Sequence, residues 1–172
     1  MTFTNAVARA LTNASDRLLR IEQKPPIRFF SAYEEKVLEA VIDRLIPQDV
    51  PLLEKRIDLV PVIDDRLYKN ALNGFRYEDM LSDRDAYCEG LRAIEEMSRR
   101  RFNTRFVDLS GSSQELILNS LRDNEPDPAH EVWKRILVHR FWNMLVRDCA
   151  DACYARMPRR IFQGHTARLG ER

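Results

Sequence analysis

Residues 29–49, FFSAYEEKVLEAVIDRLIPQD, constrain the fold of this chain more than any other stretch. Ser31 followed by Glu34 has the spacing of a capping box, in which a hydroxyl and a carboxylate satisfy the first orphan amides of a helix. Val37, Leu38, Val41, Ile42 and Leu45 then recur at helical spacing as an apolar stripe. Glu34, Glu35, Lys36, Glu39, Asp43 and Arg44 fill the charged positions. Pro47 sets the end, because the residue before a proline is pushed out of the helical region. Phe29 and Phe30 stand where a hydrophobic staple would fold back on the first turns. Such a segment must bury one face of a helix, and nothing in it requires chemistry.

The same period recurs downstream. Leu59, Val62, Ile63, Leu67 and Ala71 predict a helix that stops near Asn73 and Gly74. Ser82 or Asp83 caps the next, whose stripe is Ala86, Tyr87, Leu91, Ile94 and Met97. Ser112 or Ser113 starts a short helix carrying Leu116, Ile117, Leu118 and Leu121. A single helix over 129–156 is expected to be the longest, with Leu137, Val138, Phe141, Trp142, Leu145, Val146, Cys149, Ala152 and Cys153 spread over half its circumference. An arc that wide implies a central helix or a face turned to another protein. Phe3, Val7, Leu11, Leu18 and Ile21 predict a further helix within the first 22 residues.

No stretch alternates with period two, and the chain has only five glycines, so the expected fold is all-α. The reading is a single helical-bundle domain of about five to six helices. An N-terminal helix and proline-containing connector (1–28) lead into the bundle (29–158), and a basic tail (159–172) follows. A domain of this size buries about 70% of its unfolded surface, so it needs no metal or disulfide to hold a core.

A net charge of +1 argues against nucleic acid as the main partner. No run of 18 apolar residues exists, so no membrane span is expected. The first 22 residues lack the apolar core of a signal peptide. The clustered arginines, Arg99, Arg100, Arg101, Arg159 and Arg160, lie too far from the start for a twin-arginine signal. The expected compartment is therefore the cytoplasm, or the periplasm if an exported partner carries the chain.

Signatures of chemistry are sparse. His130, His139 and His165 have no ligand partner at helical spacing, and the paired Glu-x-x-His pattern of di-iron bundles is missing. Ser110, Gly111, Ser112 and Ser113 have one glycine and no following lysine, so they read as a capping turn and not a phosphate loop. Cys149 and Cys153, one turn apart, read as buried small hydrophobes. The adjacent acidic pairs Asp64 with Asp65 and Glu95 with Glu96 read as solvated surface. The basic cluster of Arg99, Arg100, Arg101 and Arg105 reads as a solvated helix end favoured by the dipole. Trp133, Phe141, Trp142, Tyr154, Pro158 and Phe162 are the candidate partner-interface residues, since Trp and Tyr are over-represented at hot spots.

Taken in order, five blocks resemble the gluconate 2-dehydrogenase subunit 3 family. They are the aromatic pair and capped helix ending in Asp43, Arg44, Leu45, Ile46 and Pro47; then Val62, Ile63 and Asp64; then Tyr87, Gly90 and Leu91. Phe106, Leu109, Ser110 and Gln114 follow, and last the aromatic helix from Phe141 and Trp142 through Tyr154 to Pro158. The chain departs from the family pattern at Val50, Pro51, Leu52 and Leu53, and again in its basic tail. The resemblance implies a small non-catalytic subunit with no cofactor of its own. Its partner would be a large FAD-dependent dehydrogenase of the glucose–methanol–choline type, acting on a sugar, glycoside or alcohol, which the small subunit stabilises or helps to mature. The alternatives are a free-standing helical adaptor, or an enzyme with a metal site built from His130 or His139 and distant carboxylates.

Overall fold

The computed structural model describes residues 26–46, 58–71, 81–126 and 132–156. Six α-helices and one 3₁₀ turn make up these residues, with no strand among them: α1 (Ala32–Leu45), α2 (Val60–Tyr68), α3 (Asp83–Phe102), the 3₁₀ turn (Phe106–Asp108), α4 (Gly111–Arg122), α5 (Val132–Arg135) and α6 (Val138–Arg156). The fold is all-α, as the periodicity predicts. The expected helix in the first 22 residues, the stop at Asn73 and Gly74, and Pro158 and Phe162 lie outside the described residues.

Helix α1 forms as its sequence dictates. Ser31 Oγ accepts from the Glu34 amide while the Glu34 carboxylate accepts from the Ser31 amide, which closes the capping box. Ile46 is extended (φ −120°, ψ 109°), as a residue before proline must be. Val37, Leu38, Val41 and Ile42 are buried, and each such side chain stabilises the fold by about 1.5–3 kcal/mol. The stripe is broad enough to touch α2, α3, α4, α6 and the 3₁₀ turn. The staple is corrected, however. The N4 position is Glu35, which offers no apolar surface, and Phe30 packs edge-on against Tyr87 of α3 at 5.9 Å between ring centres.

Two further starts were placed by hydroxyls. Ser82 caps α3 by accepting from the Asp85 amide. Ser110, rather than Ser112 or Ser113, caps α4 by accepting from the Ser113 amide. Helix α2 ends at Tyr68, and Asn70 takes the left-handed conformation (φ 52°) in the turn beyond it.

The expected single helix over 129–156 is divided into α5 and α6, and α3, with 20 residues, is longer than α6, with 19. Continuing α6 backwards at about 100° per residue would carry Ile136 to the side opposite its buried face. The break between the helices instead buries Ile136 completely and turns Leu137 outward, 37% exposed. Two apolar faces that one straight rod could not both present to the core are thereby buried. Helix α6 packs on α1, α2, α3 and α4.

Gly90 sits where α3 meets α6. A Cβ there would lie 2.3 Å from the Phe141 ring, so the two helices approach as they do only because that position has no side chain.

Candidate functional site

Of the four acidic residues read as solvated surface, Asp64 and Glu95 prove to be structural, while Asp65 and Glu96 lie at the surface. Asp64 is buried, and its Oδ1 accepts from the amides of Phe29 (2.8 Å) and Phe30 (3.0 Å) while Oδ2 accepts from that of Arg28 (2.8 Å). It thus clasps the segment entering α1. Asp65, its neighbour, faces outward, paired with Arg28 and Lys69; these partners, Lys69 first, hold its carboxyl below the usual carboxylate range. The signal was present in the sequence: Val60, Ile63, Asp64 and Leu67 occupy i, i+3, i+4 and i+7, one face of a helix.

Glu95 is also corrected. Its Oε2 accepts from the Phe106 amide at 2.9 Å, and Arg99 meets its Oε1 at 2.8 Å. From the other side, Gln114 donates to the Phe106 carbonyl at 3.0 Å. Both backbone groups of a fully buried phenylalanine are therefore satisfied by side chains from α3 and α4. Glu96 pairs with Arg100 one turn on, and Arg105 pairs with Asp108.

A third cluster escaped the sequence reading. Asp148 is buried in α6, and its Oδ2 accepts from Arg66 Nη2 of α2 (2.5 Å) and from the Tyr87 hydroxyl of α3 (2.9 Å). Arg66 also reaches Asp83 at 2.7 Å. Burial and the Asp148 charge push the Tyr87 hydroxyl well above its ordinary pKa. On a helical wheel Asp148 falls inside the apolar arc, between Met144, Phe141 and Ala152, and that angular position was the available clue.

The four described interface residues named from the sequence, Trp133, Phe141, Trp142 and Tyr154, do not form one patch. Phe141 is fully buried between Tyr87 and Trp133, so its ring presents nothing to a partner. Trp133 and Trp142 are half-buried against the core. Tyr154 is 60% exposed, on the side of α6 away from the core arc. Val146, not among the named residues, is 41% exposed one turn from Trp142.

A concavity lies elsewhere, between the first turns of α1 and the middle of α3. It encloses about 370 Å³ and is lined by Ser31, Tyr33, Glu34, Val37, Cys88, Glu89, Leu91, Arg92 and Glu95. No group of three or more His, Cys, Asp or Glu among the described residues is placed to hold a metal ion. No helix among them is long and apolar enough to cross a membrane. His139 is exposed, and His130 lies outside the described residues. Cys149 and Cys153 are buried, and Cys88 is half-buried.

Asp64 in the clasp, Phe106 and Gln114 in the clamp, Tyr87 and Gly90 where α3 meets α6, and Ser110 at the cap of α4 are among the residues that carried the resemblance. The family model for gluconate 2-dehydrogenase subunit 3 matches residues 32–157. Neither curated proteins nor solved structures yield a match to the chain. With most of its length matched, the chain belongs to the gluconate 2-dehydrogenase subunit 3 family.

Proposed function

We propose that this chain is the non-catalytic small subunit of a dehydrogenase complex. Its partner in this reading is a large FAD-dependent chain of the glucose–methanol–choline type that oxidises a sugar, glycoside or alcohol. The large chain holds the flavin and takes the hydride; the small one binds it and stabilises its folded form.

The observation that carries the reading is the family match over residues 32–157. The use of the motif residues supports it. A catalytic motif leaves reactive groups facing a cleft, whereas Asp64, Tyr87, Gly90 and Gln114 face backbone or one another's helices. What recurs here is a way of building a rigid surface, which is what a binding subunit requires.

The test is purification of the tagged full chain from its native host. The expected result is a second, larger chain in fixed ratio, with flavin absorbance and dye-reducing activity on a sugar or alcohol. A colourless chain eluting alone would sink the reading.

A further inference from the structure

Every position of one i, i+4 row of α6 is apolar: Trp142, Val146, Ala150 and Tyr154. Trp142 packs against the core, whereas Val146 and Tyr154 stand out from the bundle. The next row, His139, Asn143, Arg147 and Asp151, is polar throughout and bounds the first. At 1.5 Å per residue the apolar row is about 18 Å long, and rows of this spacing are the ridges by which helices pack on one another. The other exposed large apolar residues make no such row. Leu116 has Ser112 and Ser120 at i−4 and i+4, and Tyr68 lies under the Arg28 guanidinium. Leu137 has Phe141, a core residue, one turn on.

We propose that the N-terminal segment of this same chain, residues 3–21, docks as an amphipathic helix on the α6 ridge. Phe3, Val7, Leu11, Ala14, Leu18 and Ile21 fall within about 80° of one another at helical period, and Asn5, Arg9, Asp16 and Arg20 fall on the far side. A stripe that narrow suits contact with one ridge and not burial on several sides, as α6 itself has. From Phe3 to Ile21 a helix is about 27 Å long, enough to cover the row from Trp142 to Tyr154. The tether favours this occupant. Asp64 fastens the amides of Arg28, Phe29 and Phe30 to α2, and α2 packs on α6. Residues 22–27 can span about 20 Å when extended, more than the 10–12 Å or so of a helix diameter. So short a link holds the stripe near the ridge at roughly millimolar effective concentration. Both sides of the contact belong to this chain, so the inference is independent of the subunit reading.

The test is hydrogen exchange on the full chain, with a peptide of residues 1–22 as the undocked reference. A helix of this kind owes its order to the packing of its apolar face, so protection reports docking. The amides of residues 7–20 should exchange at least about tenfold more slowly in the chain than in the peptide, the effect of burying one large apolar side chain. Val146→Glu and Leu11→Glu should each return them to the peptide rate, and the two together should do no more, since each removes the same contact. Leu116→Glu, at an exposed apolar position of α4, should change nothing. Circular dichroism confirms the fold of each variant, and Leu11→Glu keeps the test valid should Val146→Glu disturb α6. Exchange at the peptide rate in the wild type, or release by Leu116→Glu as complete as by Val146→Glu, would overturn the proposal. Protection that falls when the chain is diluted would seat the stripe on a second copy, and that too overturns it. So does a Val146→Glu chain that keeps residues 7–20 protected but retains less flavoprotein, which would assign the ridge to the dehydrogenase.

Discussion

Asp64 and Asp148 are both aspartates, 1% and 2% exposed, inside one helical core. They satisfy the same burial by different means. Asp64 takes three consecutive backbone amides, those of Arg28, Phe29 and Phe30, and so ties one short segment to one helix. Asp148 takes side chains from two other helices, Arg66 of α2 and Tyr87 of α3, and through Arg66 it is joined to Asp83 at the start of α3. A carboxylate held by amides follows a local chain path. One held by an arginine and a tyrosine requires three helices to be in place at once. The first should fail locally and the second globally.

Substitutions can break that contrast. Asp148→Ala is expected to have the largest effect, about 3–5 kcal/mol, because it leaves the mostly buried Arg66 without a main counter-charge and Tyr87 without its acceptor. For a chain of this length that lowers Tm by about 6–20 °C, measured by a circular dichroism melt. A loss within 1 °C would mean that the three helices do not depend on this joint.

Asp64→Asn should cost less, about 1–3 kcal/mol, since an amide keeps one acceptor and turns a donor toward a donor. Hydrogen exchange distinguishes the two sites. Asp64→Asn should unprotect the amides of Arg28, Phe29 and Phe30 while α3 and α6 keep theirs; Asp148→Ala should lower protection throughout α2, α3 and α6. The contrast collapses if Asp64→Asn loosens α6 as much as it loosens 28–30.

The smallest expected effect is alkaline. The Cys149 thiol, next to Asp148, is raised from 9.0 to about 12, by burial first and then by the Asp148 charge. In the unfolded chain it ionises near its ordinary value, so above pH 9 the folded state holds a proton that the unfolded state has lost. Its contribution to stability is therefore intact below pH 9 and lost as pH rises toward 12. Denaturation midpoints taken across that range should fall, and Cys149→Ala should make the fall shallower. An unchanged slope would place the alkaline loss in other groups, such as Tyr87.

Helix α1 shows what the sequence by itself determined. Its capping box, its stripe and its stop before Pro47 depend on residues within four positions of one another, and each formed as its spacing required. The all-α class followed from the same short-range periodicity, and the family likeness from the order of the motifs. Tertiary structure decided the rest. Whether a carboxylate such as Asp64, Glu95 or Asp148 faces water or an amide depends on which distant backbone or helix comes to meet it. Whether 129–156 runs straight depends on Ile136 finding more apolar contact after a break than along a continuous rod. Phe141, named from the sequence as a candidate interface residue, is core because Gly90 and Tyr87 of another helix close over it. The α1–α3 groove exists only once those two helices have packed. Spacing fixes which side chains share a face, and long-range packing fixes what that face meets.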